Sequence, residues 1–512
     1  MELHNWQSEC LDLWAKNRYR GIVNAVTGSG KTFLALEAAK RLEAAAGRKL
    51  RVKIVVPKDF LASQWKKEIR RRPGVKASDI GMFSGKHKDN HRKYMIYVVN
   101  SARYNLARHI LADFKNGYAV LLIADECHRY GSDENNRIFD FYAVMGKNAP
   151  YYSLGLSATP EIVDFRAISV PLGREIYSYS LGSALKDRII SRFILFSIGL
   201  TFKSDEFFEY EELSRELSNN LGKLYSKHPE LHGISHGRFF AALQKLIKHE
   251  DETAQLAKNA LNTMYARRSL CHMAADRPAC ALLIVKSLPT DARIILFCER
   301  INAAESLYAS FEEIYPNQTG LYHSKMSDSR RRDMLDSYSR GILRLLVCCK
   351  ALDEGLNIPS TDAGIIVSTT MSARQHVQRL GRMLRLSDDI KRIYFLFIKE
   401  SSEDRELLAK LTAPEDNVPL IEFSYFGGIF ASGETEELRI NVLSFVKNRR
   451  NSPQLLNALD QYMDRAFIRG DYLLAEPVCR ENIKNSQSSC AGNYWKAVLY
   501  LVLAKEGRLG EV

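Results

Sequence analysis

The sequence predicts an α/β protein with two parallel-sheet domains in tandem, a helical insertion and an all-α C-terminal region. Short β-rich apolar runs alternate with helical patterns over the first third of the chain, and the same rhythm returns between residues 293 and 398. Strands separated by helices are typical of a parallel sheet covered by helices. With 512 residues, the chain is also longer than one hydrophobic core usually supports.

The β-rich runs predict the strands and, through them, the domain limits. We expect domain 1 at residues 1–186, domain 2 at 187–410, and a linker with the C-terminal helices at 411–512. The predicted strands are 21–26, 52–56, 95–99, 120–124, 152–156, 293–298, 344–349, 364–368 and 393–398.

Two regions have helical spacing and little strand signal. Between about residues 200 and 284, Tyr210, Leu213 and Leu217 recur at helical spacing, which predicts a helical insertion in domain 2. After residue 434, segments around Asp471 and Trp495 weakly resemble tetratricopeptide helix pairs, a repeat that needs several copies to bury a continuous core. This region is either a docking module for a protein partner, which we favour, or a cap on domain 2.

Composition and charge restrict the class of protein. The formal net charge of +13 and the pI near 9.1 suit a polyanionic partner, because each neutralised phosphate releases counterions; a generally basic soluble surface explains them equally well. No apolar run reaches the length of a membrane span and the N-terminus lacks a secretion signal, so no membrane partner is expected. Nine scattered cysteines without a C-x-x-C pair are typical of reduced cytosolic thiols, not of disulfides or structural zinc.

A phosphate-binding loop is predicted between the first strand and the helix that follows it. Residues 27–32 read TGSGKT, a Walker A pattern with Ala25 where the first glycine usually stands. Glycines let backbone N–H groups surround phosphates, and the helix N-terminus adds partial positive charge. Lys31 would reach the β- and γ-phosphates, and the Thr32 hydroxyl would bind Mg²⁺. The pattern predicts ATP as the ligand, held by Thr27, Gly28, Ser29, Gly30, Lys31 and Thr32.

A pair of acidic residues follows the fourth predicted strand. Asp125 stands at the carboxyl end of a buried strand, the edge at which parallel α/β sheets bind ligands. There it can hold Mg²⁺, while Glu126 can orient and deprotonate the attacking water. Taken alone, the pair could cap a helix, but the phosphate loop upstream favours catalysis.

These two motifs resemble motifs I and II of superfamily 2 helicases, and the other motifs of that family follow in order over roughly residues 1–400. The similar segments are 55–65 for motif Ia, 99–101 for Ib, 156–160 for III, 294–300 for IV, 349–359 for V and 378–385 for VI. Within the superfamily the chain is most similar to the XPB-like branch and the motor of type III restriction subunits. The segments that carry this similarity are 374–382 and the set Leu200, Thr201, Glu206, Tyr210 and Leu213.

The resemblance implies two RecA-like domains that bind ATP and Mg²⁺ between them. It implies that Gln7 recognises adenine, and that Arg382 and Arg385 reach in from domain 2 to stabilise charge on the γ-phosphoryl group. With the loop lysine and the acidic pair, these arginines form the expected catalytic set. Further contacts are implied with the nucleotide for Gly355, Asn357 and Arg379, and with nucleic acid for Gln64, Ser101, Arg300, His323 and Lys350.

Motif V departs from the family at two positions. Cys349 stands where a threonine usually contacts phosphate, and a thiol donates only weakly. Asn357 replaces a common aspartate. No carboxylate-rich nuclease motif follows residue 400, so no fused nuclease is predicted.

The predicted function is ATP-driven translocation along a nucleic acid, or its unwinding, with DNA favoured over RNA. Contacts with the backbone carry little sequence information, so movement independent of sequence is expected. The alternative is a nucleic-acid-triggered ATPase switch that signals to a protein partner and could act on RNA. The chain is expected in the cytoplasm, on the nucleoid in a bacterium, with DNA repair or antiviral defence as candidate roles.

Overall fold

Two separate β-sheets organise the protein. The computed structural model describes residues 3–511 apart from 46, 48, 159–164, 235, 250, 350–360, 369–389, 412–419 and 450–452. Within these ranges, one sheet has seven strands and the other eight. The predicted α/β class with two parallel-sheet domains is confirmed.

The first sheet is parallel throughout. Its strands are β1 (Arg20–Ala25), β2 (Leu50–Val56), β3 (Ile80–Phe83), β4 (Tyr94–Val98), β5 (Ala119–Asp125), β6 (Tyr151–Ser157) and β7 (Glu175–Tyr179). Their order across the sheet is β3-β4-β2-β5-β6-β1-β7. Because all strands point the same way, their carboxyl ends form one edge, where the loop after β1 and the acidic pair after β5 both lie.

Helices cover both faces of this sheet. They are α1 (Asn5–Lys16), α2 (Lys31–Ala45), α3 (Asp59–Arg70), α4 (Val99–Lys115), α5 (Asp133–Asn136), α6 (Phe141–Val144), α7 (Phe165–Leu172) and α8 (Leu181–Lys186). Helices α1, α2 and α3 bury Trp14, Leu34 and Trp65 in the core on one face, and α4, α6 and α7 pack on the other. The central strand β5 is buried along its whole length, as expected for a parallel sheet covered on both faces.

The second sheet is parallel except for a hairpin at one edge. Its strands are β8 (Phe193–Leu200), β9 (Ile294–Cys298), β10 (Thr319–Tyr322), β11 (Leu345–Cys349), β12 (Ala363–Ile366), β13 (Lys391–Ile398), β14 (Leu420–Phe426) and β15 (Ile429–Ala431). Their order is β10-β11-β9-β12-β13-β8-β14-β15, with only β14 and β15 antiparallel. Residues 420–431, expected to be linker, therefore extend the sheet, because alternate residues of β14 are buried beside β8.

A group of helices separates β8 from β9, which confirms the predicted insertion. These helices are α9 (Ser204–Lys227), α10 (His236–Leu246), α11 (Glu252–Met273) and α12 (Asp276–Ser287). The first three bury a small core of their own around Leu217, Leu224 and Leu243. In the described part of the second domain three more helices follow, and they are α13 (Ile301–Ile314), α14 (Asp328–Ser339) and α15 (Ser402–Leu411).

The all-α C-terminal region packs onto the second sheet. Its helices are α16 (Gly433–Arg449), α17 (Pro453–Arg469), α18 (Glu476–Lys484) and α19 (Ser489–Lys505). They share one hydrophobic core with the sheet. The hydroxyl of Tyr394 on β13 donates to the carbonyl of Ile468 at 2.8 Å, and Arg392 pairs with Asp471 at 2.8 Å. The helices are thus a cap on domain 2, the arrangement that the sequence analysis ranked second. None of the helices in the described ranges is both long and apolar enough to span a bilayer.

Candidate active site

The loop after β1 has the backbone geometry of a phosphate-binding loop. Gly28 and Gly30 both have left-handed φ angles, 90° and 92°, which side chains other than glycine rarely adopt. The hydroxyl of Ser29, which is buried, donates to the carbonyl of Val26 at 2.7 Å. The loop therefore curls back on itself before α2 begins at Lys31.

The lysine and threonine of the motif lie at the first two positions of α2. The ammonium group of Lys31 donates to the carbonyl of Ala25 at 2.8 Å, and Thr32 follows it at the helix N-terminus. The hydroxyl of Thr27 is buried and has no hydrogen-bond partner among the described residues. A buried hydroxyl of this kind is uncommon and often marks a place where a ligand or water binds.

Gln7 lies against this loop, although it comes from α1. Its Nε2 donates to the carbonyl of Gly30 at 3.2 Å, and its Oε1 accepts the backbone N–H of His4 at 3.0 Å. A Cβ on Gly30 would stand 2.8 Å from Nε2 of Gln7, so a side chain there would displace the carboxamide. The structure thus brings together the two segments that the sequence analysis assigned to the nucleotide.

Asp125 ends β5 and is held by aromatic residues from two other segments. The indole Nε1 of Trp65 on α3 donates to its Oδ2 at 2.8 Å, and the backbone N–H of Glu126 donates to its Oδ1 at 3.1 Å. The hydroxyl of Tyr130 lies 2.7 Å from the backbone carbonyl of Asp125 and 3.2 Å from that of Val55. Side chain and main chain of the aspartate are therefore both fixed.

The electrostatics of this corner disfavour the charged form of the aspartate. Burial raises the pKa of Asp125 to about 6, with a smaller rise from the charge of Glu126. The hydrogen bond from Trp65 and the positive charge of Lys31 act in the opposite direction on that pKa. A buried carboxylate whose charge is poorly compensated is a natural ligand for a cation.

Glu126 has a strained backbone and is linked to motif III. Its φ is 51°, in the left-handed region that is costly for residues with a side chain and often occurs at functional sites. Its Oε2 lies 3.5 Å from Nδ1 of His128, which also contacts the hydroxyl of Ser157 at 3.1 Å. Motifs II and III therefore meet at His128, while Thr159 and Pro160 lie outside the described residues.

The predicted residues of motifs V and VI lie almost entirely outside the described part of the chain. Cys349 is the exception, and its Sγ donates to the carbonyl of Glu299 at 3.4 Å from a buried position on β11. The predicted site residues of these two motifs that lie outside the described ranges are Lys350, Gly355, Asn357, Arg379, Arg382 and Arg385.

The four described nucleic-acid candidates all follow the carboxyl ends of strands. Gln64 is exposed on α3 after β2, and Ser101 lies in the first turn of α4 after β4. Arg300 precedes α13 directly after β9. His323 follows β10, but it is only 6% exposed and its Nε2 lies 3.4 Å from the carboxylate of Glu305. Three of the four are thus accessible, and His323 is mostly enclosed.

Sequence reasoning gave no role to the partners that hold these residues. Trp65 and Tyr130 lie inside or beside recognised motifs, but only the fold brings them to Asp125. The branch signature also has a structural basis: the hydroxyl of Tyr210 donates to Glu403 at 2.8 Å, and Glu206 accepts the N–H of Ala275 at 2.8 Å. The first contact ties α9 to the segment after β13, and the second joins α9 to the start of α12 within the insertion.

Comparisons with known proteins agree with this geometry. Residues 1–162 match the family described as type III restriction enzyme, res subunit, and residues 278–387 match the helicase conserved C-terminal domain. A DNA 3'-5' translocase, XPB2, from Sulfurisphaera tokodaii is 27% identical over 391 residues, which cover 76% of this chain and 80% of that protein. The chain is a superfamily 2 helicase of the XPB and type III restriction type.

Two further relatives show the extent of the likeness. The putative DNA 3'-5' helicase Rad25 from Haloarcula marismortui is 23% identical over 412 residues, covering 79% of this chain but 54% of that protein, so the helicase spans about half of that relative. The crystal structure of the Pyrococcus furiosus Hef helicase domain has the same fold, with a TM-score of 0.50, 17% identity, and coverage of 78% of this chain and 97% of that one. As a member of its family, the helicase is an ATP-hydrolysing enzyme that acts on nucleic acid.

Proposed function

We propose that this helicase moves along DNA in the 3'-to-5' direction, driven by ATP·Mg²⁺ bound at the carboxyl edge of the first sheet. The observation that supports it most is the meeting of Lys31, Asp125 and Glu126 at that edge, beside a loop with two left-handed glycines. DNA and the direction of movement are printed in the names of the XPB2 and Rad25 relatives.

The residues present fit a magnesium ion. In nucleotide sites Mg²⁺ takes one or two carboxylates, substrate phosphates and waters, so a full cage of protein ligands is not needed. Each carboxylate oxygen of Asp125 accepts one N–H, which leaves a lone pair on both for a cation. Thr32 would add its hydroxyl from the start of α2. Bound there, the ion would neutralise charge on the transferred phosphoryl group.

The other side chains divide the remaining work. Lys31 would leave the carbonyl of Ala25 to bind the β- and γ-phosphates, and Gln7 would present its fixed carboxamide to adenine. Glu126 would accept the proton of the attacking water. Gly355, Asn357 and the arginines Arg379, Arg382 and Arg385 are proposed to complete the site from domain 2.

The proposed nucleic-acid path crosses the carboxyl edges of both sheets. Gln64, Ser101 and Arg300 are accessible at that edge, so they are the stronger assignments. Lys350, which follows β11 directly in the sequence, is proposed as a further contact. His323 would act only after its contact with Glu305 opens. Because phosphates would dominate the contacts, binding should weaken steeply with salt and vary little with sequence. We place the helicase in the cytoplasm, where ATP and nucleic acid meet, with a protein partner at the C-terminal helices as a further proposal.

Two assays on the same preparation test this function. ATP hydrolysis is measured with single-stranded DNA, duplex DNA and RNA, and strand displacement is measured on duplexes with a 3' or a 5' tail. We expect stimulation by DNA and displacement from the 3' tail. Stimulation without movement in a displacement or translocation assay would instead support the ATPase switch, and stimulation by RNA alone would contradict the DNA assignment.

Variants of the acidic pair separate binding from chemistry. Glu126→Gln should retain ATP binding and lower turnover by about 10²–10⁴-fold, because the amide cannot accept a proton. Lys31→Ala should abolish turnover because the phosphates lose their cation. The exposed Glu313→Gln on α13 is the matched control and should behave as wild type. Wild-type turnover in Glu126→Gln would remove the role assigned to that residue.

A further inference from the structure

A direct hydrogen bond joins the helix that carries Gln64 to the acidic residue of the nucleotide site. Trp65 and Asp125 are both buried, with exposed fractions of 1% and 8%, and Nε1 of the indole lies 2.8 Å from Oδ2 of the carboxylate. They are 60 residues apart in the chain. They meet because β2, which leads into α3, pairs with β5, which ends at Asp125.

A second contact fixes the same junction through the main chain. The hydroxyl of Tyr130 lies within hydrogen-bond distance of the carbonyls of both Val55 and Asp125, at 3.2 and 2.7 Å. These carbonyls belong to the ends of β2 and β5. The segment from β2 to α3 and the end of β5 are therefore connected twice, once through the side chain of Asp125 and once through backbone carbonyls.

Helix α3 has one face in the core and one face in solvent. Ala62, Trp65 and Ile69 are buried at helical spacing, whereas Gln64 and Lys66 are exposed. Since Gln64 and Trp65 are neighbours on a rigid helix, a force on the exposed side chain also moves the indole. Hydrogen bonds weaken steeply when their angle and length change, so the carboxylate would register a small shift of α3.

The indole N–H of Trp65 differs from that of Trp14 in its hydrogen-bond acceptor. A buried indole N–H usually has an acceptor, and that of Trp14 in the same domain donates to the backbone carbonyl of Ser153 at 2.9 Å. Trp65 instead donates to the carboxylate that is proposed to hold the cation. The indole N–H restricts the rotamer that Asp125 adopts. That rotamer sets the direction of the lone pairs that remain on the carboxylate oxygens.

We propose that Trp65 is a positioning residue that couples nucleic-acid contact at α3 to the orientation of the Asp125 carboxylate. The inference rests on the proposed function, since it assumes that nucleic acid touches α3. It accounts for how a nucleic acid on one part of the sheet edge stimulates hydrolysis on another without touching the nucleotide.

Trp65→Phe tests the coupling because it keeps an aromatic ring in the core and removes the N–H. ATP turnover is measured with and without a mixed-sequence single-stranded DNA oligonucleotide, together with KM for ATP and the thermal unfolding midpoint. We expect the stimulation ratio to fall about tenfold, within the range by which residues between coupled sites alter coupling. Basal turnover should fall as well, because Trp65 contacts the carboxylate directly, so the ratio of stimulated to basal turnover is the quantity that tests the coupling.

Trp14→Phe is the matched control, because it removes a buried indole N–H whose acceptor is only a backbone carbonyl. It should leave the stimulation ratio at the wild-type value, whatever it does to the unfolding midpoint. An unchanged ratio in Trp65→Phe overturns the coupling, and so does an equal loss in both variants. If no nucleic acid stimulates turnover of the wild-type protein, the proposed function fails as well. Failure of the coupling alone is therefore distinguishable from failure of the proposed function.

A second measurement keeps Trp65 itself and so does not depend on a variant at that position. The protein has four tryptophans, so replacing Trp6, Trp14 and Trp495 with phenylalanine leaves Trp65 as the single indole. Its fluorescence should change when the DNA oligonucleotide is added without nucleotide, and Gln64→Ala in the same background should reduce the change. Emission that does not respond to bound DNA overturns the proposal.

Discussion

Asp125 and Asp404 are two buried carboxylates near the ends of central strands, and they differ in the charge of their hydrogen-bond donors. Asp404 is 4% exposed, pairs with the guanidinium of Arg277 and also accepts the N–H of Ile398 at 2.8 Å. Asp125 is 8% exposed and, among the described residues, its carboxylate accepts the neutral N–H groups of Trp65 and Glu126. Burial raises the pKa of both; the charge of the hydrogen-bonded Arg277 opposes the rise at Asp404, whereas the hydrogen bond from Trp65 and the charge of Lys31 oppose it at Asp125.

This difference is the one expected between a structural carboxylate and the ligand-binding carboxylate that the proposed function requires. Arg277 reaches the carbonyls of Val367 and Leu396 as well as Asp404, so one side chain joins an inserted helix to two strands and to α15. Its cation is supplied by the fold. The proposed function brings the cation for Asp125 from solution with the nucleotide. A buried acid that, among the described residues, is not hydrogen-bonded to a cationic side chain is therefore the more informative sign of a candidate site.

The largest expected effect on the fold comes from removing residues 434–512. This deletes Asp471, the partner of Arg392, and uncovers the core to which Leu443, Phe445 and Leu459 contribute. Exposed apolar patches of that kind promote aggregation. A chain ending at Gly433 should be largely insoluble, whereas one ending at Glu506 should not. A soluble Gly433 fragment with nucleic-acid-stimulated ATPase would instead favour a docking module.

Asp125→Asn should abolish function without harming the fold. Turnover should fall by more than about 100-fold, since even the outer partners of a metal ligand contribute 10–100-fold. The thermal unfolding midpoint should stay or rise, because a buried amide avoids the cost of burying charge. ATPase assays and thermal unfolding of the same sample measure both. A large drop in the midpoint would make Asp125 structural and end the contrast.

Asp404→Asn should have the opposite profile. Removing the partner leaves the guanidinium of Arg277 buried without a counter-charge, which typically costs about 3–5 kcal/mol of folding free energy. Denaturant unfolding measures the loss. The double variant Arg277→Met with Asp404→Asn should recover part of it, because no unpaired charge then remains. A loss below about 1 kcal/mol in the single variant would contradict the assignment.

The smallest expected effect is on the pH dependence of stability, and it involves His109, which lies near a third buried acid, Asp113. Asp113 pairs with Lys53 at 2.5 Å, and burial, followed by the charge of Lys53, lowers the pKa of nearby His109 to about 4. Its unfolded value is about 6.5, so the unfolded chain binds the proton first and stability is lost as pH falls from about 6.5 to 4. His109→Gln should flatten the pH dependence of the unfolding midpoint in that window. A slope equal to that of wild type would contradict the assignment.

Much of the fold could be predicted because its signals are local in the chain. Continuous apolar runs such as β5 and the loop at 27–32 need no knowledge of distant residues. The strands that escaped prediction are short or half-exposed: β3 and β10 have four residues each, and β7 lies at an edge with most of its residues accessible. β8 is one apolar run, which periodicity does not distinguish from a buried helix.

The candidate site was predictable to a similar depth. Lys31 is recognisable because its loop follows β1 in the sequence, and Asp125 and Glu126 because they stand together at the end of β5. The contact between Trp65 and Asp125 was not, because it depends on the register of β2 against β5. The same holds for Tyr210 and Glu403, whose hydrogen bond spans 193 residues.

The position of β8 in the second sheet has a consequence for the newborn chain. This strand is made first in its sheet, yet it lies between β13 and β14, which are made after every other strand of the sheet except β15. At about 5–20 residues per second, a ribosome needs roughly 10 to 40 s to go from Leu200 to Lys391. For that time eight residues that end fully buried have no neighbouring strand. Strand β1 has the same kind of position in the first sheet, between β6 and β7, but its wait from Ala25 to Tyr151 is shorter, roughly 6 to 25 s at the same rate. We therefore expect the second half of the helicase to be more prone to aggregation during synthesis than the first.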